Sequence, residues 1–312
     1  MIDKILKHES FKNKPPVLVD VGASGDIHQI WKSIAKHCVC IAFDPDDRDL
    51  EASSQTGKGF KDFFIVNRIV SDTEGIKKFY LTVSPHCSSS LNTDLTNLTP
   101  YDLKSAFEVM KEIELAAVTI DTSLEKIGLD YIDWFKTDTQ GTDLRIFASI
   151  NPKITEKILV AEFEPGIMDA YKGEDKLYKI MEFFEKKDFW CDECVVKGMR
   201  RIDPMTKENS FNTIEKRFFH LFQKSNAFWA EISYMNQMKT QEFEIRDYLL
   251  MSVFSLIKEQ YGFVTETCNA AKEKFEDPIF DDISEYAIYK MKINGYKKLP
   301  FYIIKKLFNK MF

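Results

Sequence analysis

The chain has 312 residues, of which 44% are hydrophobic and 29% charged, so it can bury a substantial core and is not disordered as a whole. Its net charge of −6 argues against a general nucleic-acid binder, because such proteins carry a basic surface. The first residues are polar and include Asp3, Lys4 and Lys7. No secretory signal is therefore expected, and the predicted location is cytoplasmic.

The cysteine residues give no metal signature. Cys38 and Cys40 alternate in an apolar run, which predicts that both lie buried on one face of a strand. Cys191 and Cys194 form a CxxC pair without a second ligand pair at the usual zinc spacing. The sequence therefore predicts no metal site.

The first structural signal is a β-rich run at Val17–Val21 that leads into a glycine turn, 22–26. Apolar residues at helical spacing predict a helix over 27–34, and a second strand over 38–43 ends at Asp44. Strand, glycine turn, helix, strand and acidic residue in this order are typical of a doubly wound α/β domain.

The middle of the chain is predicted to complete this domain with further strands and helices. Apolar runs bounded by turn residues predict strands at 63–70, 131–138 and 158–164, and helical spacing predicts helices at 142–150 and 174–186. Extra strands are expected at 77–83 and 114–120, and an antiparallel edge hairpin from 189–196 and 217–235.

The chain is predicted to have three parts, because its pattern becomes helical from about residue 237. They are an N-terminal arm, 1–14, the α/β domain, 15–236, and a helical extension, 237–312. Within the extension, helices are expected around 248–257 and 283–292.

The glycine turn separates two cofactor classes. Dinucleotide enzymes carry GxGxxG, whereas Ser24 stands here at the second glycine position, which disfavours a pyrophosphate and hence a dehydrogenase. The spacing from Gly22 to Asp44 suits a carboxylate that accepts hydrogen bonds from ribose hydroxyls. An adenosine ligand without phosphates, such as S-adenosylmethionine (SAM), satisfies both observations. A turn that serves packing alone is the alternative.

An ordered set of segments resembles the SAM-dependent methyltransferases of the FkbM type. The segments are 19–25 with Trp31, 43–46, 88–91, 119–124, 133–144, 161–165 with Tyr171, and 228–232. The resemblance covers roughly residues 15–236 and implies a Rossmann-like, mostly parallel seven-stranded sheet. It also implies a methyl group transferred to a hydroxyl of a saccharide or another small biosynthetic product.

The chain departs from the family pattern at three positions. Asp44, Gln140 and Asp143 stand where the family commonly has Glu. Because Gln140 cannot act as a base, any base role on this strand falls to Asp138.

Ligands of doubly wound sheets bind beyond the carboxyl ends of the strands. The predicted cofactor residues are Asp20, Gly22, Ala23, Ser24, Gly25, Asp26, Asp44, Ser71 and Asp72. The candidates for removing a hydroxyl proton are Asp138, Glu164 and His86, and strand alternation places Glu162 on the face of Glu164.

Each candidate has an alternative role that needs no chemistry. Asp138 can cap the following helix, Glu164 can end a strand, and His86 can be a solvated loop residue. Asp143 and Arg145 are expected at the surface of a helix start. A non-catalytic SAM-fold scaffold, anchored through its C-terminal helices, is the alternative function.

The last 23 residues carry a concentrated positive charge. Lys290–Phe312 contains seven Lys and no acidic residue, and from Phe301 onward apolar residues fill one half of a helical wheel. Pro300 suits the start of that helix. Such a segment is expected to dock on an acidic partner or on an anionic membrane, here the inner membrane surface. Packing on the protein's own acidic residues, near 277–282, is the alternative.

Overall fold

The computed structural model describes residues 1–23, 27–46 and 59–308. The chain divides into two compact units, Pro16–Gln241 and a smaller one that combines Met1–Pro15 with Glu242–Phe312. The N-terminal residues, which were expected to form a separate arm over 1–14, therefore belong to the same unit as the C-terminal helices.

The strands of the larger unit form two sheets. In chain order they are β1 Val17–Val21, β2 Val39–Phe43, β3 Asp62–Val66, β4 Ile69–Val70, β5 Gly75–Thr82, β6 Val109–Val118, β7 Trp134–Thr137, β8 Val160–Phe163, β9 Phe189–Met199 and β10 Asn226–Asn236. The main sheet has seven strands in the order β3-β2-β1-β7-β8-β10-β9. Its strands are parallel except for β10, which is antiparallel to β8 and β9. The predicted fold class is confirmed.

A small three-stranded sheet, in the order β4-β6-β5, accounts for the extra strands. The single strand expected at 63–70 is wrong, because the chain turns at Asn67 and Arg68. The Arg68 N–H donates to the Val66 carbonyl oxygen at 2.9 Å. As a result β3 pairs with β2 in the main sheet, whereas β4 pairs with β6 in the small one.

The α-helices of the described residues vary in length from one turn to thirty residues. They are α1 Ile2–Ile5, α2 Leu95–Leu98, α3 Ile120–Ile127, α4 Asp143–Ser149, α5 Pro152–Thr155, α6 Leu177–Glu185, α7 Pro204–Ser210, α8 Thr213–Arg217, α9 Ile245–Ile257, α10 Tyr261–Lys272 and α11 Ile279–Phe308. The helix expected at 27–34 is instead two 3₁₀ segments, Gln29–Ser33 and Ala35–His37. A 3₁₀ turn also aligns residues three apart, so the observed apolar spacing fits both helix types.

The core of the larger unit lies on both faces of the parallel strands. Every residue of β1 and β2 is buried, and Cys38 and Cys40 are buried as predicted. Aromatic rings fix the helices on the sheet, since Phe147 of α4 contacts Phe135 of β7, and Phe184 of α6 stacks on Tyr234 with ring centroids 4.1 Å apart. These contacts hold the strand ends that carry the polar residues.

The order of the strands determines where a ligand can bind. β1 lies between β2 and β7, with Val21 opposite both Phe43 and Thr137. From β1 the chain first runs outward through β2 and β3 and later returns to the other side of β1 at β7. A crevice forms at such a reversal, and the residues that follow these three strands lie at its edge.

The smaller unit is helical. Arg246 is buried there and donates from Nε to the Lys14 carbonyl oxygen at 2.8 Å and from Nη2 to that of Pro15 at 3.1 Å. None of the helices in the described residues combines the length and apolarity needed to cross a lipid bilayer.

The long helix α11 includes the helix expected at 283–292 and starts earlier than expected. Pro300, expected at a helix start, lies inside α11. The start signal is Asp277 followed by Pro278, since Asp277 Oδ1 accepts from the Ile279 N–H at 2.9 Å and Pro suits the first helical position.

Candidate active site

The turn after β1 brings two strand ends together. Gly22 has a φ of +81°, and the N–H groups of Gly22 and Ala23 donate to the Phe43 carbonyl oxygen at 2.9 and 3.1 Å. A Cβ atom on Gly22 would lie 1.9 Å from the Asp138 carbonyl oxygen. Glycine is therefore required here for the β1 and β7 ends to approach. The predicted residues Ser24, Gly25 and Asp26 lie outside the described residues.

A cleft beside this turn combines a buried carboxylate with apolar surface. Asp44 follows β2, is only 6% exposed, and accepts a hydrogen bond at Oδ1 from the Asp46 N–H at 2.8 Å. The cleft is lined by Gly22, Asp44, Asp138 and Arg68, together with the apolar side chains of Phe43, Ile69, Val70 and Phe79. The structure thus brings four of the predicted site residues together, since His86 lines the cleft as well, and adds Arg68, which the sequence analysis missed.

Ser71 and Asp72 do not line this cleft. They follow β4 and border a different depression, which also includes Lys77 and Lys78. The Ser71 hydroxyl donates to Asp72 Oδ1 at 2.9 Å. The structure therefore separates these two residues from Gly22 and Asp44.

Asp20 holds the strands in place. It is fully buried, its Oδ1 lies 2.9 Å from Lys136 Nζ, and its Oδ2 accepts from the His28 N–H at 3.2 Å. Burial lowers the pKa of Lys136, but the carboxylates of Asp20 and Asp138 raise it by more, so the net pKa lies above its usual value. Asp20 thus links β1 to β7 and to the segment after the glycine turn.

Asp138 lies at the junction of three pockets. Its N–H donates to the Val21 carbonyl oxygen at 2.8 Å, and its half-buried side chain lines the cleft, a large aromatic cavity and a third, acidic pocket. Gln140 Nε2 donates to Asp138 Oδ1 at 2.5 Å, and Gln140 Oε1 accepts from the Tyr171 hydroxyl at 2.9 Å. Gln140 has a φ of +58°, a conformation uncommon for a non-glycine residue that needs surrounding support.

Glu164 and Asp138 form a pair of neighbouring carboxyl groups. Burial raises the pKa of Glu164, the Asp138 carboxyl raises it further, and Lys136 lowers it. The net pKa of Glu164 lies well above its usual range. At neutral pH Glu164 therefore keeps its proton.

Asp143 is the main residue that sequence reasoning misjudged. It is fully buried, and its Oδ1 accepts from the Thr137 hydroxyl at 3.0 Å and the Thr139 N–H at 2.8 Å. Its Oδ2 accepts from the Glu164 N–H at 3.2 Å. Burial and Asp138 raise the pKa of Asp143 to about 6, although the hydrogen bonds from Thr139 and Thr137 lower it. Asp143 thus ties the ends of β7 and β8 to α4.

Arg145, the other residue expected at that helix surface, has a specific partner. Its Nη2 lies 2.9 Å from Asp175 Oδ1 and donates to the Gly173 carbonyl oxygen at 2.6 Å. It therefore fixes the loop before α6.

The aromatic cavity has a volume of about 470 Å³ and shares Asp138 with the cleft. Its walls contain aromatic side chains, carboxyl groups and the exposed His86. The aromatic members are Phe107, Tyr171, Phe228 and Trp229, and the carboxyl members besides Asp138 are Glu164 and Glu174. These aromatic residues are far apart in sequence, and no short pattern predicts that they meet in one cavity.

Glu162 faces the acidic pocket together with Glu164, as strand alternation predicts. Glu162 Oε2 accepts a hydrogen bond from Trp134 Nε1 at 3.1 Å, and the same oxygen lies 3.2 Å from His28 Nε2. In the part of the chain that the structure describes, no group of three or more His, Cys, Asp and Glu residues is arranged to hold a metal ion.

The family was established by comparison with known proteins. The family model described as Methyltransferase FkbM domain matches residues 67–264, which is more than half of the chain. The chain belongs to the FkbM methyltransferase family. The resemblance found in the sequence is confirmed, and the match begins after β3, so it does not include Gly22 and Asp44.

Two further comparisons add little to this methyltransferase assignment. A solved structure of a protein in the NADB-Rossmann superfamily from Streptococcus agalactiae is 12% identical, with 92% of this chain and 94% of that chain covered and a TM-score of 0.29. The search of curated proteins returned no match.

Proposed function

We propose that this FkbM-family protein is a SAM-dependent O-methyltransferase that acts on a hydroxyl of a neutral, saccharide-like ring. The observation that carries the proposal is the position of Asp138. One face of this residue borders the cleft with Asp44, and the other borders the aromatic cavity. A group at this junction can contact both a cofactor and an acceptor.

The cleft residues fit SAM. The Asp44 carboxylate would accept hydrogen bonds from ribose hydroxyls, and Phe43, Ile69, Val70 and Phe79 offer apolar surface to an adenine ring. When bound, SAM supplies an electrophilic methyl group. Methyl transfer needs chiefly orientation, so rigid strand ends on both sides of the cleft serve this chemistry.

The aromatic cavity fits an uncharged, hydroxylated ring. Aromatic faces pack against the C–H face of such a ring, while Glu174 and Asp138 can accept hydrogen bonds from its hydroxyls. The negative charge of Glu174 is already balanced by Lys176, whose Nζ lies 2.5 Å from Glu174 Oε1. Among the described residues no Lys or Arg lines the cavity, so an acceptor phosphate or carboxylate would have no cationic partner there.

Asp138 is the proposed base. A hydroxyl acceptor loses its proton as it is methylated, and a carboxylate within hydrogen-bond reach can receive that proton. Glu164 keeps its own proton and cannot receive another, whereas Asp138 borders both the cleft and the cavity. Gln140 orients Asp138 by donating to Oδ1, and Tyr171 in turn donates to Gln140. His86 remains a second, exposed candidate at the same junction.

Calorimetric titration with SAM tests the cofactor assignment. Removing the Asp44 carboxylate in Asp44→Ala should cost about 1.5–3 kcal/mol, or roughly ten- to a hundredfold in affinity. The matched control is Asp72→Ala, which removes an exposed carboxylate outside the cleft and should bind SAM as the wild type does.

Equal affinities of the wild type and Asp44→Ala would contradict the ribose assignment. A folded wild type that does not bind SAM would overturn the cofactor itself. Production of S-adenosylhomocysteine with a set of neutral and phosphorylated saccharides tests the acceptor class. Tight SAM binding without turnover on any of them would favour the non-catalytic scaffold.

A further inference from the structure

The second half of α11 is unusually exposed for a helix that starts in a packed unit. Ile283 and Ala287 are fully buried near its beginning, whereas every residue over 295–300 is exposed. Tyr289 is 58% exposed and Tyr296 is 71% exposed. The helix therefore continues past the residues that anchor it and presents large side chains to solvent.

Its positive charge has no acidic partner in the described residues. Lys290–Phe312 carries seven Lys and no acidic residue. Lys292, Lys297 and Lys298 are exposed and make no ion pair within the described ranges. This segment therefore keeps a strong local charge in a protein whose net charge is negative.

In the structure the exposed half of α11 does not pack on the acidic residues near 277–282. Asp281 and Asp282 occupy the first turn of the same continuous helix, so the later residues of α11 cannot fold back onto them. Those carboxylates also have other partners, since Asp281 pairs with Lys272 at 3.0 Å and Asp282 with Lys4 at 2.6 Å. The acidic residues proposed as an internal partner are thus already used.

The exposed helix also has an apolar stripe. Tyr286, Tyr289, Ile293 and Tyr296 recur at intervals of three and four residues, which places them on one face. In the sequence the same spacing continues through Ile303 and Leu307. Tyr side chains suit a membrane interface because one end is apolar and the other polar. On a helical wheel, Lys292 and Lys297 lie on the two sides of the stripe.

We propose that this surface, the stripe with its flanking lysines, docks α11 along an anionic lipid bilayer. The lysines would contact lipid phosphates while the stripe enters the headgroup region. An acidic protein surface would match the charge alone, whereas a bilayer matches both the charge and the apolar stripe. This inference does not depend on the proposed methyl transfer.

Vesicle co-sedimentation of the full-length protein tests the proposal. We expect binding to phosphatidylcholine vesicles that contain phosphatidylglycerol, weak binding to pure phosphatidylcholine, and loss of binding at high salt. Each lysine near an anionic bilayer contributes about fivefold in partitioning. The triple variant Lys292→Glu, Lys297→Glu, Lys298→Glu removes both flanking lysines and should therefore lose at least about 25-fold.

The matched control replaces three exposed lysines of the larger unit, Lys153→Glu, Lys157→Glu and Lys186→Glu, with the same change in net charge. This control should bind vesicles as the wild type does. Because the tested lysines are exposed, both triple variants should keep the wild-type melting temperature. Tyr289→Ser with Tyr296→Ser tests the stripe and should also weaken binding.

Three results would overturn the proposal. One is a wild type that does not sediment with anionic vesicles. Another is an equal loss of binding in both triple variants, which would indicate attraction without a defined surface. The third is binding to polyglutamate but not to vesicles, which would identify an acidic polypeptide as the partner.

Discussion

Replacing Gly22 with Ala tests whether the approach of β1 and β7 builds the site. The added Cβ atom would lie 1.9 Å from the Asp138 carbonyl oxygen. This distance is shorter than a normal van der Waals contact by more than about 1 Å, so the strand ends must separate by about that much. The Asp138 N–H donates to the Val21 carbonyl oxygen at 2.8 Å next to this contact, and the separation would weaken that bond.

The expected loss of stability has three parts. A left-handed conformation costs an Ala residue about 1–2 kcal/mol, a weakened hydrogen bond about 0.5–1.5 kcal/mol, and overpacking about 1–3 kcal/mol. Together they predict a loss of about 2.5–6.5 kcal/mol, which corresponds to a decrease in Tm of roughly 5–26 °C for a unit of this size.

Gly128→Ala is the matched control. Gly128 has a φ of +73°, but a Cβ atom added to it would have open space around it, with no described atom beyond its chain neighbours within 4 Å. Only the conformational cost of about 1–2 kcal/mol therefore applies. Thermal unfolding followed by circular dichroism compares the two variants without any acceptor. Equal Tm values for Gly22→Ala and Gly128→Ala would refute the argument that the close approach at Asp138 requires glycine.

Two further predictions concern the carboxyl groups around Asp138. Asp138→Asn should lower turnover by roughly 10²–10⁴-fold while SAM affinity is kept. Glu164→Gln should retain most of the turnover, because Gln can donate a hydrogen bond as protonated Glu164 does. A wild-type rate in Asp138→Asn would remove this residue from the mechanism. The pKa of Asp143 is about 6 in the folded protein against a usual value of 3.8. The folded state therefore binds this proton more tightly than the unfolded state. As a result, the stability of the wild type should fall by up to about 3 kcal/mol as the pH rises from 4 to 6. Asp143→Asn lacks this contribution to stability. If denaturant titrations show the same pH dependence of the free energy of unfolding for the wild type and Asp143→Asn, the assignment to Asp143 is wrong.

The parts of the fold that depend on local pattern were predictable. Val17–Val21, the glycine turn and Asp44 follow one another along the chain, and a buried parallel strand reads as a continuous apolar run. The break between β3 and β4 was not predictable in this way. Ile69 and Val70 resume the apolar pattern after the polar pair Asn67 and Arg68, and so short an interruption does not show that they pair with β6 in another sheet.

The site itself was only partly predictable, because burial and long-range contacts determine the roles of its residues. Asp143 follows Gly141 and Thr142 at a helix start, a position at which an acidic residue is normally exposed and faces the helix dipole. Its burial results from the packing of β7 and β8 against α4, which no short pattern records. Phe107, Phe228 and Trp229 meet in the aromatic cavity for the same reason.

The pairing of β1 with β7 also sets the order in which the site can form during synthesis. The Val17 N–H donates to Asp133 across 116 residues, and Lys136 reaches Asp20 across the same separation, whereas β1 and β2 are close in sequence. At ordinary translation rates the ribosome needs on the order of 10 s to add 116 residues. During that interval the nascent chain holds Gly22 and Asp44 without the strand that completes their crevice. Closing a loop of this length has an entropic cost, and the cleft proposed to hold SAM is complete only after β7 has emerged and paired.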